Sequence, residues 1–179
     1  MSSPMKRSIL ILCSFLAGLL VFPLAIYLYL AFGHPPVASS DKPFLFERQL
    51  AHIPLNARIH RDMPASSPFP ASGQNLIVGA GIYQDKCEMC HGVQGEPSAM
   101  GRDMYPSAPQ LWQKKKSGAV GVSDDPVGET YWKIKNGIRL TGMPAYGTVL
   151  SERELWQVSL LLSNADKPLP PEAAKMVGP

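Results

Sequence analysis

Five consecutive residues, Cys87-Glu88-Met89-Cys90-His91, hold two of the three cysteines and one of the four histidines in a chain of 179 residues. Three chemistries use such a cluster. A redox C-x-x-C belongs after a strand in a βαβ pattern, and the residues before Cys87 read as helix. A structural zinc site takes four Cys or His ligands, commonly as a second pair. Here no cysteine follows Cys90 and no histidine follows His91. The third chemistry is haem attachment, for which C-x-x-C-H is the signature. Each thiol adds to one haem vinyl group, and the adjacent imidazole supplies an axial nitrogen to the iron.

A haem iron used for electron transfer needs a second axial ligand. The stretch "NGIRLTGMPAYG" offers Met143, 52 residues after His91, flanked by Gly142 and Pro144. A methionine on a turn can present its thioether to a flat cofactor. Met100 and Met104 are the competitors, but their loop would have to wrap the haem edge quickly to reach the far face. His34, His52 and His60 all precede the region in which these motifs lie.

Three helices must position the ligands. The first spans about 75–88 and leads into the cysteines; Leu76, Gly79, Ala80 and Tyr83 share one face at i, i+3, i+4, i+7 spacing. The second covers about 126–136, with Asp125 as N-cap, Pro126 at its first position and Gly137 at its C-terminal cap. The third opens on Ser151 and Glu154, an S-x-x-E capping box, and stops near Asn164. The fold class expected is all-α. Residues 92–124 form an irregular stretch unusually long for a compact domain, so something other than regular structure must organise it.

The rest of the chain divides by composition. Ser8 to Gly33 carries no charged residue, which is long enough for a membrane-spanning helix of about 20 apolar residues. It is too long, and too bulky at its end, for the apolar core of a cleaved signal peptide. Residues 1–33 are therefore expected to be an uncleaved N-terminal anchor. Cys13 within it reads as a small apolar residue. Lys6 and Arg7 precede the span, so the positive-inside rule leaves everything after about Gly33 outside the cytoplasm. Residues 34–74 form a Pro-rich tether that, if fully flexible, would reach about 35 Å. The apolar patch within 43–63 (Phe44, Leu45, Phe46, Leu50, Ile53, Leu55, Ile59) argues instead that part of it packs against its own domain, a membrane surface or a partner. Residues 75–164 are the compact domain, and 165–179 a Pro-rich C-terminal tail. From residue 75 onward the 11 basic and 11 acidic residues balance, which gives no support for nucleic-acid binding.

On these motifs residues 75–164 resemble a class I c-type cytochrome, the small monohaem cytochrome c fold. "GAGIYQDKCEMCHG" is similar to that family's N-terminal helix and haem site, and the resemblance implies that Gly79 and Tyr83 cross the C-terminal helix near Trp156. "SAPQL" resembles the family's proline-containing loop, which implies that Pro109 lies beside His91 and that a nearby carbonyl accepts the imidazole proton. "NGIRLTGMPAYG" resembles the methionine-ligand loop. One covalent haem c then follows, held by Cys87 and Cys90, with His91 and Met143 as iron ligands. Leu111, Trp112, Tyr131, Trp132, Ile138 and Leu140 are candidates to line it, with Pro109 beside the histidine. The domain buries too little by itself to be comfortably stable, and a haem would complete its core.

The function expected is electron transfer, not substrate chemistry, because two filled axial positions leave no open site. A carrier with this ligation suits a quinol-oxidising complex or dehydrogenase as donor and a terminal oxidase as acceptor. Its expected place is a bacterial inner membrane, single-pass, with the haem domain on the periplasmic face. Lys114, Lys115 and Lys116, with Lys133, Lys135 and Arg139, are a candidate docking rim. Two other functions use the same residues: a fixed haem subunit of a larger membrane oxidoreductase strapped by 43–63, or a haem sensor or enzyme with a labile sixth ligand.

Overall fold

The computed structural model describes residues 4–178, and they are all-helical: α1 (Pro4–Phe32), α2 (Glu47–Asp62), α3 (Gly73–Lys86), α4 (Glu88–His91), α5 (Ala99–Asp103), α6 (Val127–Asn136), α7 (Glu152–Ser163) and α8 (Pro171–Val177). Among the described residues there is no named strand. Two isolated bridges, Val93 with Glu96 and Lys114 with Val120, pin turns in the long loop. The chain divides into two compact units, Met1–Glu47 and Arg48–Pro179.

In the first unit, α1 is exposed along its described length. From Lys6 to Phe32 it is long and apolar enough to cross a membrane. Such a surface fits a single-pass membrane anchor. Pro23 lies inside the helix. After Gly33 the chain turns, and the Asp41 carboxylate accepts bonds from the amides of Val37 and Ala38, both at 2.9 Å. Those bonds hold Asp41 below the usual carboxylate range.

The second unit is built on the crossing of α3 and α7. A Cβ on Gly79 would lie 2.3 Å from the Gln157 carbonyl oxygen, so glycine is what lets the two backbones meet. Leu76, Ala80 and Tyr83 from α3 are buried against Leu155, Trp156, Val158 and Leu161 from α7. Inside this contact the Gln157 amide donates to Asn75 Oδ1 at 3.0 Å, and the Asn75 amide donates to the Pro70 carbonyl at 2.9 Å. The buried polar groups thus satisfy one another. Helix α6 packs on the other side of α7, where the rings of Tyr131 and Trp156 stack 4.1 Å apart.

The helix ends follow local chemistry. Ser151 and Glu154 form both bonds of the capping box at the start of α7. Gly137 ends α6 at φ +64°, a conformation that glycine adopts without strain. Helix α6 begins one residue later than expected, with Pro126 as its N-cap. Ser72 caps α3, so that helix starts two residues earlier than the periodicity suggested.

Two segments differ from their sequence-based description. The expected tether, 34–74, contains α2, and its last part lies on the domain. Ile59 is fully buried, the Pro64 carbonyl fills the space beside Gly128, and Arg153 lies 4.7 Å over the Phe69 ring. The expected tail, 165–179, contains α8. Pro171 occupies its first turn, and Ala173 and Val177, one turn apart, are fully buried.

Candidate functional site

The cysteine motif lies where α3 breaks. Cys87 closes α3 and opens α4 with φ −121° and ψ −34°. The single turn of α4 puts Cys87, Cys90 and His91 at i, i+3 and i+4, on one face. Gly92 then ends the turn at φ +69°, where a Cβ would meet Gln110 Oε1 and the Glu96 carbonyl, both at 2.7 Å.

Bonds from distant parts of the loop hold this turn. The buried Tyr83 hydroxyl donates to the Gly92 carbonyl at 2.6 Å. Ser98 donates to the Met89 carbonyl at 2.5 Å. The Gln110 amide donates to the carbonyls of Cys90 (3.3 Å) and Ala108 (3.1 Å), and its oxygen accepts from the Ser98 amide at 2.6 Å. A Cβ on Gly101 would lie 1.9 Å from the Cys90 carbonyl, so α5 presses directly on the turn. Burial pushes the Tyr83 phenol pKa well up, helped by its neighbour Cys87.

His91 is oriented by one bond. Its Nδ1 lies 2.7 Å from the Pro109 carbonyl oxygen. A carbonyl only accepts, so Nδ1 carries the proton and Nε2 keeps its lone pair. Burial lowers the His91 pKa, against the opposing pull of the Pro109 bond, which favours the neutral ligand form. Burial, with Cys90 and Asp85 nearby, pushes the Cys87 thiol up to about 12. A redox dithiol needs the opposite, an attacking cysteine held below the ordinary thiol value.

Met143 stands in the loop after α6. Its amide is 3.1 Å from Thr141 Oγ1, and its carbonyl accepts from Ile138 at 3.3 Å. The side chain is half-buried against the core, as are those of Cys87, Val120, Val122, Val127 and Tyr146. Tyr146, three residues on, donates its hydroxyl to the Lys86 carbonyl at 2.8 Å. The methionine loop and the cysteine turn are thereby brought together. Met104 also approaches this loop: its Cε would lie 1.9 Å from a Cβ on Gly142. Met100 is exposed.

The other residues singled out in the sequence fall in different places. Pro109 is beside His91, and the Leu111 amide donates to the His91 carbonyl at 3.2 Å while its side chain is buried. Tyr131 packs between α6 and α7 and donates to Glu152 at 2.5 Å. Trp132 and Ile138 are half-buried, and Leu140, at φ +63°, is 91% exposed. Trp112 is buried edge-on to Tyr83 with its Nε1 unpartnered. Of the basic residues, Lys115 pairs with Asp124 at 2.6 Å, Lys133 with Glu129 at 2.6 Å and Lys135 with Glu152 at 3.3 Å. A docking rim is left with Lys114, Lys116 and Arg139.

Tyr83, Ser98, Gly101, Gln110 and Tyr146 as holders of the site were not legible in the motifs. Ser98 and Gln110 act on carbonyls in the motif from 9 and 20 residues away.

The donor set fits a covalently held haem. Two thiols lie one helical turn apart, an imidazole is fixed through Nδ1 alone, and a thioether is held on a loop tied to the same segment. Among the described residues no group of three or more His, Cys, Asp or Glu side chains is placed to hold a metal ion. Residues 74–160, a little under half of the chain, match the family model described as cytochrome C oxidase, cbb3-type, subunit III. No curated protein and no solved structure matches the chain.

Proposed function

We propose that this chain, whose residues 74–160 match a cytochrome c family model and whose N-terminal helix is long and apolar enough to cross a membrane, is a membrane-anchored c-type cytochrome that carries single electrons with His91 and Met143 as the iron ligands of one haem c. Haem supplies, when bound, a one-electron ferric/ferrous couple. Cys87 and Cys90 attach it to α4. His91 offers Nε2, because the Pro109 carbonyl occupies Nδ1, and that outer bond also fixes the ring plane and raises ligand basicity. Met143 would supply the second ligand from its loop, and Met/His ligation would raise the potential relative to two histidines.

The observation that carries this reading is the 2.7 Å bond between His91 and Pro109. It selects the tautomer in which Nε2 is free for a metal, as an iron ligand needs. The partners are redox proteins: a quinol-oxidising complex or dehydrogenase as donor and a terminal oxidase as acceptor. Transient electron-transfer encounters need only small interfaces. With Lys6 and Arg7 before the span, the haem domain belongs on the periplasmic face of a bacterial inner membrane. The test is the pyridine haemochrome and ferric spectrum of the full-length protein extracted from membranes. One haem per chain and a far-red methionine–iron band are expected. Two haems, or a band that survives Met143→Ala, would sink the assignment.

A second reading is favoured by one observation. Phe44, Leu45, Phe46, Leu50 and Ile53 are all exposed, and a freely diffusing head has no use for them. They suit a fixed haem subunit of a larger membrane oxidoreductase, strapped through that segment. Gentle solubilisation followed by native electrophoresis separates the two: a free carrier migrates alone, and a fixed subunit migrates with a large complex.

A further inference from the structure

The loop that carries Met143 is tied to the domain in two directions. Toward α6 the ties are backbone bonds: the amides of Tyr146 and Gly147 donate to the carbonyls of Ile134 and Lys135, both at 3.0 Å. These fill last-turn carbonyls of α6 that have no helical partner. Within the loop, the Thr141 hydroxyl donates to the Ile138 carbonyl at 2.7 Å and meets the Met143 amide at 3.1 Å. These bonds set the loop's shape and fix it to α6, but they do not reach the segment that bears the cysteines.

The Tyr146 side chain does reach it. Its hydroxyl donates to the Lys86 carbonyl at 2.8 Å, across 60 residues of sequence. Lys86 is the last residue of α3 and the neighbour of Cys87, so its carbonyl also lacks a helical partner. The Tyr146 ring is half-buried against the core alongside Met143 and Cys87. Ring and hydroxyl therefore have separable roles: the ring packs, and the hydroxyl joins the loop to the cysteine segment.

We propose that Tyr146 is a positioning residue whose hydroxyl, bonded to the Lys86 carbonyl, latches the Met143 loop onto the cysteine segment and so sets how readily the sixth position opens. The proposal rests on Met143 being the axial ligand. Surface loops open locally at far lower free energy than the whole domain. In the closed loop the hydroxyl and the carbonyl satisfy each other; in the open loop both are hydrated. A bond of this kind favours the closed state by a net amount that corresponds to about two- to tenfold in the open population.

The test uses the full-length ferric holoprotein in detergent, with cyanide as the probe of an open sixth position. Tyr146→Phe keeps the ring and removes the hydroxyl. Cyanide binding is expected to speed up by about two- to tenfold, with a weaker far-red methionine–iron band and a thermal midpoint close to the parent's. Ser159→Ala is the control: it removes a buried hydroxyl that donates to the Leu155 carbonyl within α7 at 2.7 Å, and its cyanide rate is expected to match the parent. A parental rate in Tyr146→Phe overturns the latch alone. So does an equal acceleration in Ser159→Ala, which would indicate general loosening. A parent protein without the far-red band overturns the ligand assignment and the latch together.

Discussion

The Nδ1 of His91 lies 2.7 Å from the Pro109 carbonyl, and the residue after that proline, Gln110, bonds to the carbonyl of Cys90 at 3.3 Å. Two neighbouring residues of one loop therefore grip two neighbouring residues of the cysteine turn. The first half of the loop 92–124 is organised by what it holds, and the Gln110 side chain ties Ser98 and Ala108 to the cysteine turn.

Gln110→Ala removes bonds to Cys90, Ala108 and Ser98. It leaves half-buried groups without partners, which costs about 1–3 kcal/mol. Denaturant unfolding of the holoprotein should show that loss, with Gln110→Glu recovering only the bond from Ser98. A midpoint within error of the parent would mean that the loop is held elsewhere.

Gly79→Ala drives a methyl group to 2.3 Å from the Gln157 carbonyl. The obstacle is backbone, so α3 and α7 must move apart, at a cost of about 1–3 kcal/mol. Gly81→Ala, two residues on and on the opposite side of α3 with open space around it, should leave the thermal midpoint unchanged or slightly raised. Equal effects of the two substitutions would contradict the helix crossing.

The capping box of α7 carries a pH signature. The Ser151 hydroxyl and amide hold Glu154 below the usual carboxylate range. A depressed folded-state pKa contributes stability that is complete above the unfolded value and is lost as pH falls through the folded one. Ser151→Ala should cost about 0.5–2 kcal/mol at neutral pH, and less at acid pH, where Glu154 is protonated in both proteins. Chemical denaturation across the acid range measures the convergence.

Thiol labelling gives a fourth outcome. In mature protein unfolded in denaturant, Cys13 should alkylate and Cys87 and Cys90 should not, because both are expected to be thioethers. Intact mass should exceed that of the bare chain by one haem. Three labelled cysteines would remove covalent attachment from the account.

Much of this was legible because it is local. Ser151 with Glu154, Gly137 after α6, and the apolar face of α3 each depend on residues within one or two turns. The C-x-x-C-H spacing is local too. Helix α8 was hidden because its prolines read as a tail; Ala173 and Val177 form a helix face only once α3 offers a surface, and so short a helix is not stable alone. Helix α2 was hidden by Pro54 within it and by its mixed polarity. The side chains that hold the site escaped for a different reason. Tyr83, Gln110 and Tyr146 all bond to backbone carbonyls, and a carbonyl target leaves no mark in the sequence of its own residue.

The methionine assignment has a near competitor, because Met104 reaches the same loop at Gly142. The most direct measurement is the far-red band of the ferric full-length protein, compared among the parent, Met143→Ala and Met104→Ala. The account predicts the band in the parent and in Met104→Ala and its loss in Met143→Ala. A band lost in Met104→Ala and kept in Met143→Ala would contradict it.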